Sequence, residues 1–172
     1  MMEIKGVEVC IEYLDDSDSD PPWDNSDGHG PVRISRTVNY TGRHTKRPGE
    51  RPMNSPCRNQ YQYLYDWQEA CRLARKDGWN TEPYDAPNQV ARAVQADFDF
   101  LRGWINDDWR YVGVRVTIPG TSFEDSLWGV ETYKDYHETC AKEQAEELVT
   151  AYLAEQKEVE YWNSRDVVTE VS

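Results

Sequence analysis

The acidic residues of segment 15–30 have a spacing at which carboxylates can hold a hard cation. A calcium loop takes ligands from alternating positions, and five aspartates here match positions of such a loop: Asp16, Asp18, Asp20, Asp24 and Asp27. However, Pro21 stands where the sharp turn of the loop needs a glycine, and no helix pattern flanks the segment. We therefore expect no metal site, and we interpret residues 15–30 as a flexible, solvated acidic loop.

The remaining residues that could bind metals or act as nucleophiles are scattered. They are His29, His44, His137, Cys10, Cys57, Cys71, Cys140 and Ser126. No two of the histidines and cysteines have the spacing of metal ligands, and Ser126 has no identifiable base or GxSxG context. No glycine pattern of a nucleotide-binding loop occurs. The sequence thus predicts no catalytic residues, no metal and no cofactor, and we expect the protein not to be an enzyme.

The basic segment 33–58 suggests an interaction with nucleic acid. It has seven basic residues and one acidic residue, and Tyr61, Tyr63 and Tyr65 follow it. Cations with neighbouring aromatic rings are typical of proteins that bind single strands, and the candidate contacts are Arg43, Lys46, Arg47 and Arg51. The rest of the chain is strongly acidic and would repel a polyanion. We therefore favour a flexible basic loop at 41–58, or cations lying on the protein's own acidic surface, and keep nucleic-acid binding as the alternative function.

The acidic helix predicted at 135–160 is the main candidate interaction surface. Its apolar stripe is Ala141, Ala145, Leu148, Tyr152 and Val159, and its polar glutamates are Glu143, Glu146, Glu147, Glu155 and Glu158. The ordinary interpretation is a solvated face. The functional interpretation is that carboxylates about 5–6 Å apart imitate phosphates spaced about 3.4 Å apart and bind a basic protein surface. Tyr136, Tyr161 and Trp162 are the candidate aromatic anchors.

The periodicity of the apolar residues predicts the elements that carry these sites. Val112, Val114, Val116 and Ile118 alternate with other residues, as in a half-buried strand. Similar patterns predict strands near 6–13, 31–40, 110–118 and 126–133, and helices near 66–77, 87–106 and 135–160. We expect 172 residues to form a single α+β domain in the order ββααββα, with a mostly antiparallel four-stranded sheet and three helices on one face.

Three segments resemble a group of uncharacterised small accessory proteins of tailed bacteriophages and prophages. The segments are Asp66-Trp67 with Ala74-Arg75-Lys76-Asp77-Gly78-Trp79, Trp109-Arg110-Tyr111-Val112-Gly113-Val114, and Ser126-Leu127-Trp128-Gly129-Val130-Glu131. The resemblance covers about residues 60–150. It implies a phage gene product that acts in the cytoplasm of a bacterial host cell, and it implies no particular activity.

The net charge of −13 and this resemblance together predict the type of function. We expect an accessory protein that binds and inhibits or diverts a host or defence-system protein with a basic surface, with nucleic-acid mimicry as one route. The longest apolar runs are only a few residues, and the amino terminus lacks the layout of a signal peptide, so we expect no membrane partner. We do not expect nucleic acid to be the partner, and the sequence leaves the oligomeric state open.

Overall fold

The computed structural model describes residues 1–24, 28–36, 43–55 and 61–169, with side chains as far as 165. Within these ranges the chain forms seven strands and three α-helices. They are β1 (Met2–Ile4), β2 (Val7–Asp15), β3 (Val32–Ser35), β4 (Glu50–Pro52), β5 (Gln62–Asp66), α1 (Trp67–Asp77), α2 (Gln89–Ile105), β6 (Tyr111–Thr117), β7 (Glu124–Glu131) and α3 (Tyr136–Thr169). No helix in the described ranges combines the length and the hydropathy that crossing a bilayer requires.

The chain divides into two compact units. The first combines Met1–Ser19 with Tyr111–Ser172, and the second is Asp20–Arg110. The predicted α+β class, with three helices and a four-stranded antiparallel sheet, is confirmed. The predicted membership of that sheet is wrong in one strand, because β3 belongs to a separate three-stranded sheet. Its place is taken by β1, which joins β2 through a tight turn at Lys5 and Gly6, both with positive φ.

The sheet of the first unit has the strand order β1-β2-β6-β7, and all its strands are antiparallel. The buried face predicted for β6 is confirmed, because Val112, Val114 and Val116 are buried. The opposite face is exposed at Arg115 but buried at Tyr111 and Gly113, so the predicted half-buried strand is wrong for its first three residues. The buried cluster of this unit consists of Val9, Val112, Val114, Val116, Ile118, Val130, Cys140, Ala141, Ala145 and Val149. The first half of α3 therefore covers one face of the sheet.

The helix α3 continues beyond this core. Its last partly buried residues are Tyr152 and Leu153, and every residue from 154 to 165 is exposed. The sequence placed Val159 in the buried stripe, but its side chain is 46% exposed. The helical periodicity is correct, yet the residues of the first unit that α3 packs against do not reach this position. The helix also extends to Thr169, past its predicted end near 160.

The second unit packs α1 and α2 with a three-stranded sheet of order β3-β5-β4. Its buried cluster consists of Met53, Tyr65, Ala70, Ala74, Val94, Phe98 and Leu101. The ends of α1 follow the local signals in the sequence. The Asp66 carboxylate accepts a hydrogen bond of 3.0 Å from the Glu69 backbone N–H, and Gly78 ends the helix in the left-handed conformation.

Parts of the two segments predicted to be flexible have regular structure. The strand β2 runs to Asp15, and Pro22–Asp24 form one turn of 3₁₀ helix. In the basic segment, Glu50–Pro52 are β4 and the Met53 side chain is buried. Residues 25–27, 37–42 and 56–60 lie outside the described residues. The flexibility of 15–30 and 41–58 stays a prediction.

Candidate functional site

The five predicted glutamates of α3 are all exposed, but they do not form one site. Glu143, Glu146 and Glu147 lie on the half of α3 that packs on the sheet, where each lines at least one groove. Glu155 and Glu158 lie on the half that extends beyond the core. A helix rises about 1.5 Å per residue, so Glu155 is about 12 Å further along the axis than Glu147. The structure thus brings together three of the five residues.

The first groove contains a cation from the same unit. It has a volume of about 580 Å³ and is lined by Lys5, Glu143, Glu146, Glu147, Thr150, Ala151 and Ala154. The Lys5 ammonium donates a hydrogen bond of 3.0 Å to the Thr150 hydroxyl. We call this the Lys5 groove. Its acidic wall already faces one positive charge.

The second groove lies between β7 and α3, and we call it the β7–α3 groove. It has a volume of about 370 Å³ and is lined by Asp125, Ser126, Leu127, Tyr136, Cys140, Glu143, Gln144 and Glu147. The predicted anchor Tyr136 is therefore part of a site that also contains two of the predicted glutamates. A hydrogen bond with Cys140 raises the pKa of Tyr136 above its usual value, and the negative charge of Glu143 acts in the same direction.

A residue that the sequence did not indicate completes the β7–α3 groove. Gln144 is only 8% exposed, and its side-chain oxygen Oε1 has no hydrogen-bond partner among the described residues. A buried acceptor without a donor costs about 1–3 kcal/mol. No sequence signal pointed to Gln144, because a glutamine within an acidic helix resembles its solvated neighbours. Only packing shows that it is buried.

The other two predicted anchors lie far from this groove. The rings of Tyr161 and Trp162 contact each other with their centroids 5.4 Å apart, and both side chains are about half exposed. Tyr161 comes 25 residues after Tyr136 in the same helix, or about 38 Å along its axis. The predicted partner-binding residues therefore separate into a groove set and a set at the extending end of α3.

The predicted basic site is partly occupied by contacts within the second unit. The Arg51 guanidinium lies 3.4 Å from the centre of the Trp67 ring, as in a cation–π pair. Arg33 donates two hydrogen bonds of 2.7 and 2.6 Å to the buried Glu50 carboxylate, and this pairing lowers the pKa of Glu50. The other predicted contacts are exposed: Arg43, Lys46 and Arg47. One of the four cations is thus engaged by an aromatic ring of the protein itself.

Two of the tyrosines that follow the basic segment line a groove of their own. It has a volume of about 360 Å³ and is lined by Asn54, Ser55, Tyr61, Tyr63, Ile105 and Asn106. None of the four predicted cations lines it, although the Arg36 guanidinium lies 5.2 Å from the centre of the Tyr61 ring. The structure therefore does not combine the predicted cations and the tyrosines into one groove.

A hydrogen-bonded cluster surrounds Asp97, and no sequence pattern indicated it. Asp97 contacts His29 Nδ1 at 2.6 Å and accepts hydrogen bonds of 2.9 Å from the Gly30 N–H and 2.6 Å from the Tyr65 hydroxyl. Burial and the Asp97 carboxylate raise the pKa of Tyr65. His29 also stacks on the Phe100 ring. No local pattern could indicate this cluster, because His29 and Asp97 are 68 residues apart.

The Asp97 cluster is best explained as a structural clamp. A histidine oriented by an aspartate can act as a general base, but nucleophilic catalysis also requires a nucleophile within reach of the histidine. No described serine, threonine or cysteine forms a hydrogen bond with His29. The three contacts of Asp97 instead fix residues 29–30 and β5 to α2. The absence of enzymatic activity stays a prediction.

In the part of the chain that the structure describes, no three His, Cys, Asp or Glu residues are grouped so that they could hold a metal ion. No protein-family model, curated protein or solved structure matches the chain.

Proposed function

We propose that the chain is a phage accessory protein that binds a host or defence-system protein through the acidic face of α3. Binding inhibits or diverts the partner, and the chain itself catalyses no reaction. The observation that carries the proposal is the position of Glu143, Glu146 and Glu147. They are exposed, they line two adjacent grooves, and none forms an ion pair with a described residue.

The charge of the chain supports a basic partner. A net charge of −13 attracts positively charged proteins over distances of about one Debye length, which is roughly 8 Å at physiological salt. Unpaired carboxylates on a rigid helix add local complementarity, because their positions are fixed before the partner arrives. Such charges mainly increase the association rate and set the orientation of the complex.

Exposed aromatic and apolar side chains near the carboxylates supply affinity in the proposed complex. Tyr136 and Leu127 line the β7–α3 groove and are each about half exposed. Tyr161, Trp162 and Val159 are similarly exposed on the extending half of α3. Burial of such side chains gives most of the binding free energy in typical interfaces. Only the groove set adjoins Glu143 and Glu147, so we assign the anchor region of the proposed complex to the groove set.

A pull-down from a bacterial host lysate with two matched charge reversals tests this proposal. In one variant Glu143, Glu146 and Glu147 are changed to Lys, and in the control Glu155, Glu158 and Glu160 are changed to Lys. Each variant changes three residues by two charges and raises the net charge from −13 to −7. We expect the first variant to lose a partner that the control retains, and the captured partner to lose activity as the wild-type protein is added. A partner retained by both variants would contradict the proposed surface.

Nucleic-acid binding by the basic segment is the second candidate function. The observation in its favour is the exposure of Arg43, Lys46 and Arg47, together with the half-exposed ring of Tyr61. A gel shift with a short single strand at about 50 mM salt tests it, since phosphate contacts weaken steeply as salt rises. We expect no shift. Retention at low salt that is lost at about 200 mM, and lost when these three cations are changed to Ala, would replace the first proposal.

A further inference from the structure

The polar lining of the β7–α3 groove consists mainly of hydrogen-bond acceptors. Asp125, Glu143 and Glu147 contribute carboxylates, and an ionised carboxylate can only accept hydrogen bonds. None of the three forms an ion pair with a described Lys, Arg or His. Glu143 and Glu147 also line the Lys5 groove, which differs because it contains a cation of its own. The β7–α3 groove is lined by three carboxylates and by no Lys, Arg or His among the described residues.

The buried amide of Gln144 is an independent sign of a missing donor. Gln144 lines the same groove, is more than nine-tenths buried, and has no described hydrogen-bond partner for its Oε1. Buried polar atoms are nearly always paired, so an orphaned acceptor calls for a partner outside the protein's own side chains. The ligand that satisfies this groove is thus a hydrogen-bond donor with positive charge.

The remaining lining of the groove favours a guanidinium group over other cations. Leu127 and the Tyr136 ring add apolar and aromatic surface beside the carboxylates. A guanidinium is planar, weakly hydrated and carries five donors, so it can stack on a ring while it bonds several acceptors. A metal ion requires ligands that converge on one point, and no described group of three such residues does so.

Two backbone N–H groups of the edge strand β7 are already bonded to side chains, and one of them belongs to Ser126, which lines the groove. The Ser126 N–H donates to the Asp125 carboxylate, and the Gly129 N–H donates to the Asp16 carboxylate, both at 2.8 Å. Side chains that occupy backbone donors protect an edge strand from the addition of another strand. Addition of a partner strand is therefore disfavoured at these two positions, which favours recognition through a side chain.

We propose that the β7–α3 groove binds the guanidinium of an arginine side chain. This proposal rests on the proposed function in one respect, because the arginine belongs to the basic partner protein. Glu143 and Glu147 pair with the guanidinium, Gln144 accepts one of its N–H groups, and the Tyr136 ring packs against its plane. Asp125 adds negative charge at the opposite wall.

Titration with three short peptides tests the groove without the partner. The probes are acetyl-Gly-Arg-Gly-amide, its lysine counterpart and its citrulline counterpart, which has the shape of arginine without its charge. Binding is followed by NMR through the side-chain amide of Gln144 and the ring of Tyr136. We expect the arginine peptide to shift both signals in a salt-dependent manner, the lysine peptide to bind more weakly, and the citrulline peptide to leave both signals unchanged. Equal shifts with arginine and citrulline would overturn the proposal.

Two conservative double variants localise the binding. The double variant Glu143→Gln with Glu147→Gln should bind the arginine peptide with an affinity at least about tenfold lower, since charge-assisted hydrogen bonds are roughly twice as strong as neutral ones. Glu155→Gln with Glu158→Gln is the matched control and should leave the affinity unchanged. Both pairs lie on exposed positions of one helix, and circular dichroism checks that each variant folds. Equal affinity of both variants would place the binding elsewhere and overturn the proposal.

Failure of this proposal is distinguishable from failure of the proposed function. If the arginine peptide binds the groove but no lysate protein depends on Glu143, Glu146 and Glu147, the groove assignment stands and the proposed function falls. If a lysate partner is lost on reversal of those three charges, yet arginine and citrulline peptides behave alike, the function stands and the arginine assignment falls.

Discussion

Replacement of Asp97 by Ala should strongly destabilise the second unit, because the Asp97 side chain is 9% exposed and accepts several hydrogen bonds. Asp97 is the shared acceptor for His29, the Gly30 N–H and the Tyr65 hydroxyl. Both Tyr65 and Gly30 are buried, so water cannot easily replace the lost acceptor at those two donors. The perturbation therefore leaves two buried donors without partners in a single step.

The loss in free energy of unfolding caused by Asp97→Ala follows from the number of donors that lose their acceptor. An unsatisfied buried donor costs about 1–3 kcal/mol, so Tyr65 and Gly30 together contribute about 4 kcal/mol. His29 is partly exposed and can be rehydrated, so the loss of its contact with Asp97 adds little to the free-energy cost. Tyr65→Phe alone should cost about 1 kcal/mol, the typical net value of one hydrogen bond. The double variant should be less destabilised than the sum of the two by about 1–2 kcal/mol, because it contains no orphaned hydroxyl.

Urea denaturation followed by tryptophan fluorescence measures these differences. Trp67 is a local reporter, since its ring centre lies 6.1 Å from that of Tyr65. The matched control is Asp99→Ala, two positions further along α2, where the side chain is 42% exposed and pairs with Arg102 at 3.1 Å. Such a surface pair contributes about 0.2–1 kcal/mol. If Asp97→Ala and Asp99→Ala destabilise equally, or if Asp97→Ala and Tyr65→Phe are additive, the clamp does not exist as described.

Three further predictions concern other parts of the chain. Gly103→Ala should destabilise the second unit by about 1–3 kcal/mol, although Ala has the better helix propensity. The reason is that a Cβ at this position would lie 2.8 Å from Cδ1 of the buried Trp109. A variant that is more stable than wild type in urea would refute the close packing. Glu50→Gln should cost about 2 kcal/mol at pH 7. Pairing with Arg33 lowers the folded-state pKa of Glu50, so this stabilisation is present above pH 4.5 and declines below it. The difference in free energy of unfolding between wild type and variant should therefore become smaller in acid. A difference that does not change with pH would contradict the pairing. Trypsin should cut first within 43–51 and leave a fragment that contains α3, whereas early cuts in the sheet-packed half of α3 would refute the predicted flexibility.

The sequence by itself indicated the elements whose signals are local. The alternation of valines in β6 and the capping residues of α1 operate over a few neighbouring residues, so they could be interpreted without knowledge of the fold. The same is true of the exposure of the five α3 glutamates, which follows from helical periodicity. The confirmed α+β class rests on these local features.

Strand partners were decided only by tertiary structure. The pattern of β3 is that of a strand, but nothing within Val32–Ser35 specifies whether it pairs with β5 or with β2. Pairing depends on side chains that are distant in sequence, and several pairings satisfy the same alternation. The short strand β1 was not predicted, because Met2–Ile4 contains too few residues to show a period.

The candidate site shows most clearly which features the sequence determines and which the tertiary structure determines. The sequence established that α3 carries unusual acidity, because charge is a property of composition and spacing. Tertiary structure decided that Glu143 and Glu147 line a groove with Tyr136, that Gln144 is buried without a partner, and that Glu155 stands beyond the core. The physical reason is that the surroundings of a helical residue depend on where the packed sheet ends. This boundary is set by residues outside the helix, such as Phe123, whose ring contacts Tyr152 near the end of the packed half.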